Sequence, residues 1–216
     1  MFKNRLVAGE GLAKEIEKVE GDLVLLAIAR GGVPVAYAAA RKLALPLDVV
    51  VPRKIPIPWS PEAGFGAVAP DGTVVLNQAL VASLELRPEE IEKEVEKVKE
   101  EIERRNREYR RGRPPLDLRG KSVVIIDDGL ASGYTMLAAV ESARKNQAAK
   151  VIAAVPVSPA SSVRLVESRV DRLICLLCQE AISFAVADYY EEWEDVTDTE
   201  VIEYLRKAEE WMKEEQ

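Results

Sequence analysis

The chain has 216 residues, 48% of them hydrophobic, enough apolar material for one sizeable globular domain. A net charge of -7 speaks against a general nucleic-acid or membrane binder. The absence of histidine excludes Ser-His-Asp and Cys-His hydrolases and any His-ligated metal centre. No apolar run approaches membrane-spanning length, and Met1 to Arg5 leads into no signal-peptide core, so the cytoplasm is the expected compartment.

In chain order, a short amphipathic helix ends over Glu15 to Val19, and Leu23 to Ala29 is a continuous apolar run of the kind a central parallel strand requires. Arg30-Gly31-Gly32 interrupts it. A helix over Val33 to Lys42 follows, with Pro34 in its first turn, then a strand over Leu47 to Val51. Residues 52 to 66 carry Pro52, Pro56, Pro58, Pro61, Gly64 and Gly66, which predict an irregular loop or flap. Ala67-Val68 and Thr73 to Leu76 flank Asp71-Gly72 and predict a hairpin. Pro88 opens a charged helix to about Arg110, stopped by Gly112, Pro114 and Pro115.

From Ser122 the alternation becomes regular. Strands over Ser122 to Ile126, Val151 to Val157 and Leu173 to Leu177 are separated by helices over Met136 to Asn146 and Ser161 to Glu167. That βαβαβ order predicts an α/β fold with a parallel, doubly wound, Rossmann-like sheet flanked by helices. Thr197 to Glu200 forms a capping box for a last helix over about 199–213. Residues 1–216 are expected to form one domain, with the flap and long helix inserted over about 52–115. Functional loops at the strand carboxyl ends, 29–32, 52–66 and 127–135, are expected to converge at a switch point.

The most informative stretch runs from Val123 to Met136. A β-branched strand ends in Asp127-Asp128, a loop of small residues follows, and a helix begins. Backbone N–H groups and the positive end of a helix dipole then surround a space suited to a phosphate monoester, beside two acids able to hold sugar hydroxyls. Alone, Asp-Asp-Gly is equally an ordinary strand-to-helix turn, with Ser132 or Thr135 as a cap. The full run resembles the phosphoribosyl-diphosphate (PRPP) motif of the type I phosphoribosyltransferases, departing from it with Gly129 for an aliphatic residue and Ser132 for Thr.

The resemblance implies Mg²⁺-dependent transfer of a 5-phosphoribosyl group from PRPP to a nitrogenous base or related nucleophile, with release of pyrophosphate. It assigns Ala131, Ser132, Gly133, Tyr134 and Thr135 to the 5-phosphate. Asp127 and Asp128 would take the ribose hydroxyls, directly or through the metal's water shell. Ala29, Arg30, Gly31 and Gly32 resemble the family's pyrophosphate loop, which often carries a non-proline cis peptide. Arg53 and Lys54 stand where a mobile loop closes over the pyrophosphate. The resemblance extends over most of the chain through Pro61, Glu62 and Gly66-Ala67-Val68, then Tyr109 to Pro114, then Asp198 to Val201. A homodimer would be ordinary for the family, and neither a membrane nor a nucleic acid is expected as a partner.

Several readings stay open at this level. Ala131 occupies the position where family members acting on 6-oxopurines carry Asp, which argues against hypoxanthine or guanine without choosing among other acceptors. Trp59, Tyr134, Phe184, Tyr189 and Tyr190 could stack on a planar acceptor or pack in the core. The cluster Arg104, Arg105, Arg107, Arg110, Arg111 and Arg113 reads as a solvated helix terminus, as anion capture near the flap, or as an RNA contact. The last would suit a non-catalytic PRPP-sensing regulator on the same fold. A phosphatase using Asp127 lacks the expected Asp-x-Asp arrangement. Cys175 and Cys178 would face one another on a helix, but in a strand they point to opposite faces and act as small hydrophobes.

Overall fold

The computed structural model describes residues 1–180 and 183–214. Asn4 caps α1 (Arg5–Ile16), its side chain accepting from the Val7 N–H at 3.2 Å. The elements β1 (Leu23–Ile28), α2 (Gly32–Leu43) and β2 (Leu47–Val50) follow. Next come β3 (Arg53–Ile57), β4 (Ser60–Val68), β5 (Val74–Leu76), α3 (Gln78–Ser83) and α4 (Pro88–Arg110). The second half contains β6 (Ser122–Ile126), α5 (Tyr134–Lys145), β7 (Lys150–Pro159), α6 (Ala160–Glu167), β8 (Arg172–Gln179), a 3-10 turn over Val186–Tyr189, and α7 (Asp198–Glu214).

Five strands form a parallel sheet in the order β2-β1-β6-β7-β8. Successive residues of its inner strands point to opposite faces, and both faces are covered. Leu25, Ala27, Val124, Ile126, Ile152 and Ala154 pack with Leu12 and Ile16 of α1, with α2, and with Val201 and Leu205 of α7. Val24, Leu26, Val123, Ile125, Val151 and Ala153 pack with Met136 and Val140 of α5 and Val166 of α6. This double burial is why the strands read as unbroken apolar runs. The α/β, parallel-sheet expectation is met.

The prediction of an irregular loop over 52–66 is corrected. Residues 53–68 form an antiparallel hairpin that continues into β5 as a three-stranded sheet. Its register shifts on both sides of Pro56, and Pro58 lies in the turn joining Ile57 to Ser60. Pro56 and Pro58 therefore occupy an irregularity and a turn, positions where a missing N–H costs little. Ile55, Ile57 and Phe65 are buried against Val95, Val98 and Ile102 of α4, and that apolar contact stabilises the hairpin. The predicted β4–β5 hairpin and the α4 limits are met. The capping box is present too: Thr197 N–H donates to Glu200 at 2.8 Å, and Glu200 N–H to Thr197 Oγ1 at 3.2 Å. No helix among the described residues is long and apolar enough to cross a membrane.

Candidate functional site

Because Ala27 pairs with Ile126, the loops leaving β1 and β6 lie side by side at the carboxyl edge of the sheet. They are in very close contact. A Cβ added to Gly31 would lie 2.1 Å from Oδ2 of Asp128, and one on Gly32 would lie 2.5 Å from the Ile126 carbonyl. Only glycine lets the 29–32 backbone rest on the acid pair. The Ala29–Arg30 peptide is cis.

A cavity of about 400 Å³ opens beside Asp127. Residues 129–136 form one wall, and Lys54, Glu62, Ala63, Gly64 and Gly66 of the hairpin sheet form the other. Gly133, at φ +83°, turns the chain into α5, and no side chain caps that helix. Its first-turn N–H groups thus need another acceptor, and the cavity offers room for an anion. Ser162 Oγ donates to the Ala131 carbonyl at 2.5 Å and ties the loop to α6. Ala131, Ser132, Gly133, Tyr134 and Thr135 all line this cavity.

The two acids are turned to different surroundings. Asp127 lines the cavity, and its Oδ1 accepts the Asp128 N–H at 2.9 Å. Asp128 faces α1 instead, where Arg5 Nε donates to its Oδ2 at 2.9 Å. Arg5 also donates to the Glu194 carbonyl at 2.7 Å, and its guanidinium carbon lies 3.7 Å from the Trp193 ring centroid. Tyr190 O–H donates to the Asp128 carbonyl at 2.6 Å, completing a buried clamp. Burial pushes both carboxyls above their ordinary range. The negative charge of Asp128 adds to the effect on Asp127, and Arg5 opposes it on Asp128.

Strand alternation separates Arg53 from Lys54. Lys54 points into the cavity and donates to the Glu62 carbonyl. Arg53 points to α4, with Nη1 3.3 Å from Glu101. Arg30 Nη1 lies 3.6 Å from Asp198 Oδ1. Of the six clustered arginines, Arg104 and Arg105 pair with Glu101, Arg110 with Asp48 and Arg113 with Glu209. Arg107 and Arg111 have no ionic partner among the described residues. Arg110 and Arg113 thus join the end of α4 to β2 and α7, while Arg107 and Arg111 stay exposed.

Among the aromatic candidates only Tyr134 lines the cavity. Trp59 is 61% exposed in the β3–β4 turn, Phe184 and Tyr189 stack on one another at 5.1 Å, and Tyr190 is buried in the Asp128 clamp. Cys175 and Cys178 are free thiols on β8. Cys175 is half-buried, and burial pushes its thiol up to about 11. Cys178 is exposed, so the core reading holds for Cys175 alone.

Arg5 and Val186 had no place in the sequence reading, and Tyr190 stood there only as a stacking or core aromatic, not as a donor to the Asp128 carbonyl. A Cβ on Gly129 would lie 2.7 Å from Val186, so the returning 3-10 turn fills the space of the aliphatic residue missing at 129. The glycine itself was the available signal. Nothing local marks Arg5, which lies 123 positions from Asp128.

Known proteins resemble this chain over most of its length. The family model described as phosphoribosyl transferase domain matches residues 70–193. A relative from Mycobacterium tuberculosis (strain H37Rv), Rv0571c, provisionally named a phosphoribosyl transferase, is 39% identical over 209 residues, 96% of this chain and 47% of its own. The chain thus spans about half the length of the curated relatives it matches. The crystal structure of TT1426 from Thermus thermophilus is 33% identical with a TM-score of 0.79, covering 95% of this chain and 98% of that one. The AQ2163 protein of Aquifex aeolicus, 13% identical with a TM-score of 0.53 over 83% of this chain and 76% of its own, shares the fold alone.

Proposed function

The chain belongs to the phosphoribosyltransferase family, and we propose that it transfers a 5-phosphoribosyl group from PRPP to a nitrogenous base or related nucleophile, releasing pyrophosphate. The observation that carries this reading is the joint cavity. The Asp127 carboxylate, an uncapped helix N-terminus and a lysine from the hairpin face the same space of about 400 Å³.

In this reading the amides and hydroxyls of 131–135 bind the 5-phosphate, with Gly133 allowing the close approach. Asp127 sits beside the ribose, where its carboxylate favours the positive charge that develops at the anomeric carbon. Asp128, clamped by Arg5, supports Asp127 and reaches the sugar only through water. The amides of 29–32, with Arg30 and Lys54, receive the negative charge of the departing diphosphate. Arg53 acts one layer back, through α4. The hairpin excludes water from the reacting atoms.

The donor set also suits Mg²⁺. Asp127 offers a hard oxygen, and the described residues contain no cluster of three metal-ligating side chains. The ion would therefore be held mainly by substrate oxygens, with Asp127 directly or through water and Asp128 through water. When bound it would neutralise charge on the leaving group.

Calorimetric titration with PRPP, with and without Mg²⁺, tests the donor site. Saturable binding strengthened by Mg²⁺ supports the reading, and a screen of bases for pyrophosphate release then identifies the acceptor. Absence of binding under both conditions would sink it.

A further inference from the structure

Two motif segments, Tyr109 to Pro114 and Asp198 to Val201, contribute nothing to the cavity wall. The fold brings them together behind the 29–32 loop. Tyr109 is fully buried near the end of α4, and its O–H donates to Oδ1 of Asp198 in the first turn of α7. That same oxygen is 3.6 Å from Arg30 Nη1. Both residues behind Arg30 are themselves anchored. The Tyr109 carbonyl accepts from Arg113 at 3.0 Å, Arg113 pairs with Glu209 of α7, and the Thr197–Glu200 box sets where α7 begins.

The spacing matters for chemistry. At 3.6 Å the Arg30–Asp198 contact is ionic but too long for a hydrogen bond, so Asp198 orients the guanidinium without occupying its donors. Orientation is needed because a free arginine has many rotamers. Arg53 lies close enough to feel the charge of Arg30, so the two cations share one neighbourhood and Asp198 supplies Arg30 with a counter-charge. The buried phenol of Tyr109 stays protonated, held up by burial and by the adjacent carboxylate, and therefore remains a donor.

We infer that Tyr109 and Asp198 are positioning residues that aim Arg30 at the diphosphate leaving group. This rests on the reading of 29–32 as the leaving-group loop. Neither residue touches substrate.

The test titrates inorganic pyrophosphate with Mg²⁺, and separately ribose 5-phosphate, into wild type, Asp198→Asn, Tyr109→Phe, Arg30→Gln and the Arg30→Gln/Asp198→Asn double variant. Asp198→Asn and Tyr109→Phe should each weaken pyrophosphate binding roughly three- to tenfold, the range expected for losing one charge-assisted contact. Ribose 5-phosphate binding should not change, and Asp198→Asn should add nothing once Arg30 is gone. Tyr109→Phe keeps the buried ring, and thermal melts report whether each variant is folded. Unchanged or tighter pyrophosphate binding in Asp198→Asn overturns the inference, as does an equal loss in the absence of Arg30. Wild-type protein that binds neither probe overturns the phosphoribosyl reading and this inference with it. Wild type that binds both, with an insensitive Asp198→Asn variant, overturns the inference alone.

Discussion

Burial and the Asp128 charge raise the Asp127 carboxyl above its unfolded value, so ionising it at neutral pH costs the folded state stability. The stability of the raised carboxyl is fully present below the unfolded carboxylate range and is lost as pH rises through the folded value. Asp127→Asn removes that ionisation and keeps an oxygen for the Asp128 N–H. The variant should melt above wild type at neutral pH and level with it in acid, while PRPP-dependent turnover falls by about 10²-fold. Melting curves at both pH values beside a pyrophosphate-release assay decide it, and equal activity would remove Asp127 from the mechanism. Arg5→Met leaves Asp128 without its cation inside the clamp, and breaking a buried pair costs about 3 kcal/mol. Urea denaturation would measure that loss. The pair Asp127-Asp128 could be picked out in the sequence by its place after a β-branched strand. Arg5 could not, because only the folded chain brings α1 to the end of β6.

At the level of elements, α4 was fully legible: Pro88 at its first position and Gly112 just beyond its end bound it. The β3–β4 hairpin was not. Its prolines look like breakers until α4 is laid against Ile55, Ile57 and Phe65. Phe65→Ala should therefore cost about 3–5 kcal/mol, with the hairpin becoming the first site of limited proteolysis. Cleavage starting elsewhere would mean that the hairpin is held by other contacts. The 29–32 loop depends on closeness rather than flexibility. Gly31→Ala would drive its Cβ onto Asp128 and should weaken PRPP binding at least about tenfold, the effect of a displaced charged contact. Calorimetry of the variant against wild type checks that expectation.

Across the whole molecule, the ion pairs of Arg110 and Arg113 hold the end of α4, β2 and α7 as one frame behind the site. The Asp48–Arg110 pair is largely shielded, and the same guanidinium also donates to the Val49 carbonyl at 2.8 Å. These contacts engage Arg110 and Arg113, whereas Arg107 and Arg111 stay exposed. A metal that enters with substrate also predicts a separation of effects. EDTA should abolish turnover and leave the melting temperature of the substrate-free protein unchanged, since the described residues form no metal cage. A large drop in melting temperature would point to a resident structural metal instead.

Residue order was enough to establish the parallel α/β alternation, the limits of α4 and β6, the cap of α7 and the acid-and-small-residue loop after β6. Each of these depends on local chemistry: β-branched runs, helix caps, breakers and short-range spacing. Only the folded chain settles that Asp127 and not Asp128 faces the cavity, that Arg53 and Lys54 point apart, and that Arg110 and Arg113 pair with Asp48 and Glu209. Folding likewise brings Val186 into the place of a side chain at Gly129 and stands Tyr109 and Asp198 behind Arg30. All but the Arg53–Lys54 divergence join positions far apart in the chain. Which charge meets which depends on how helices pack across a twisted sheet, and no local pattern of residues encodes that.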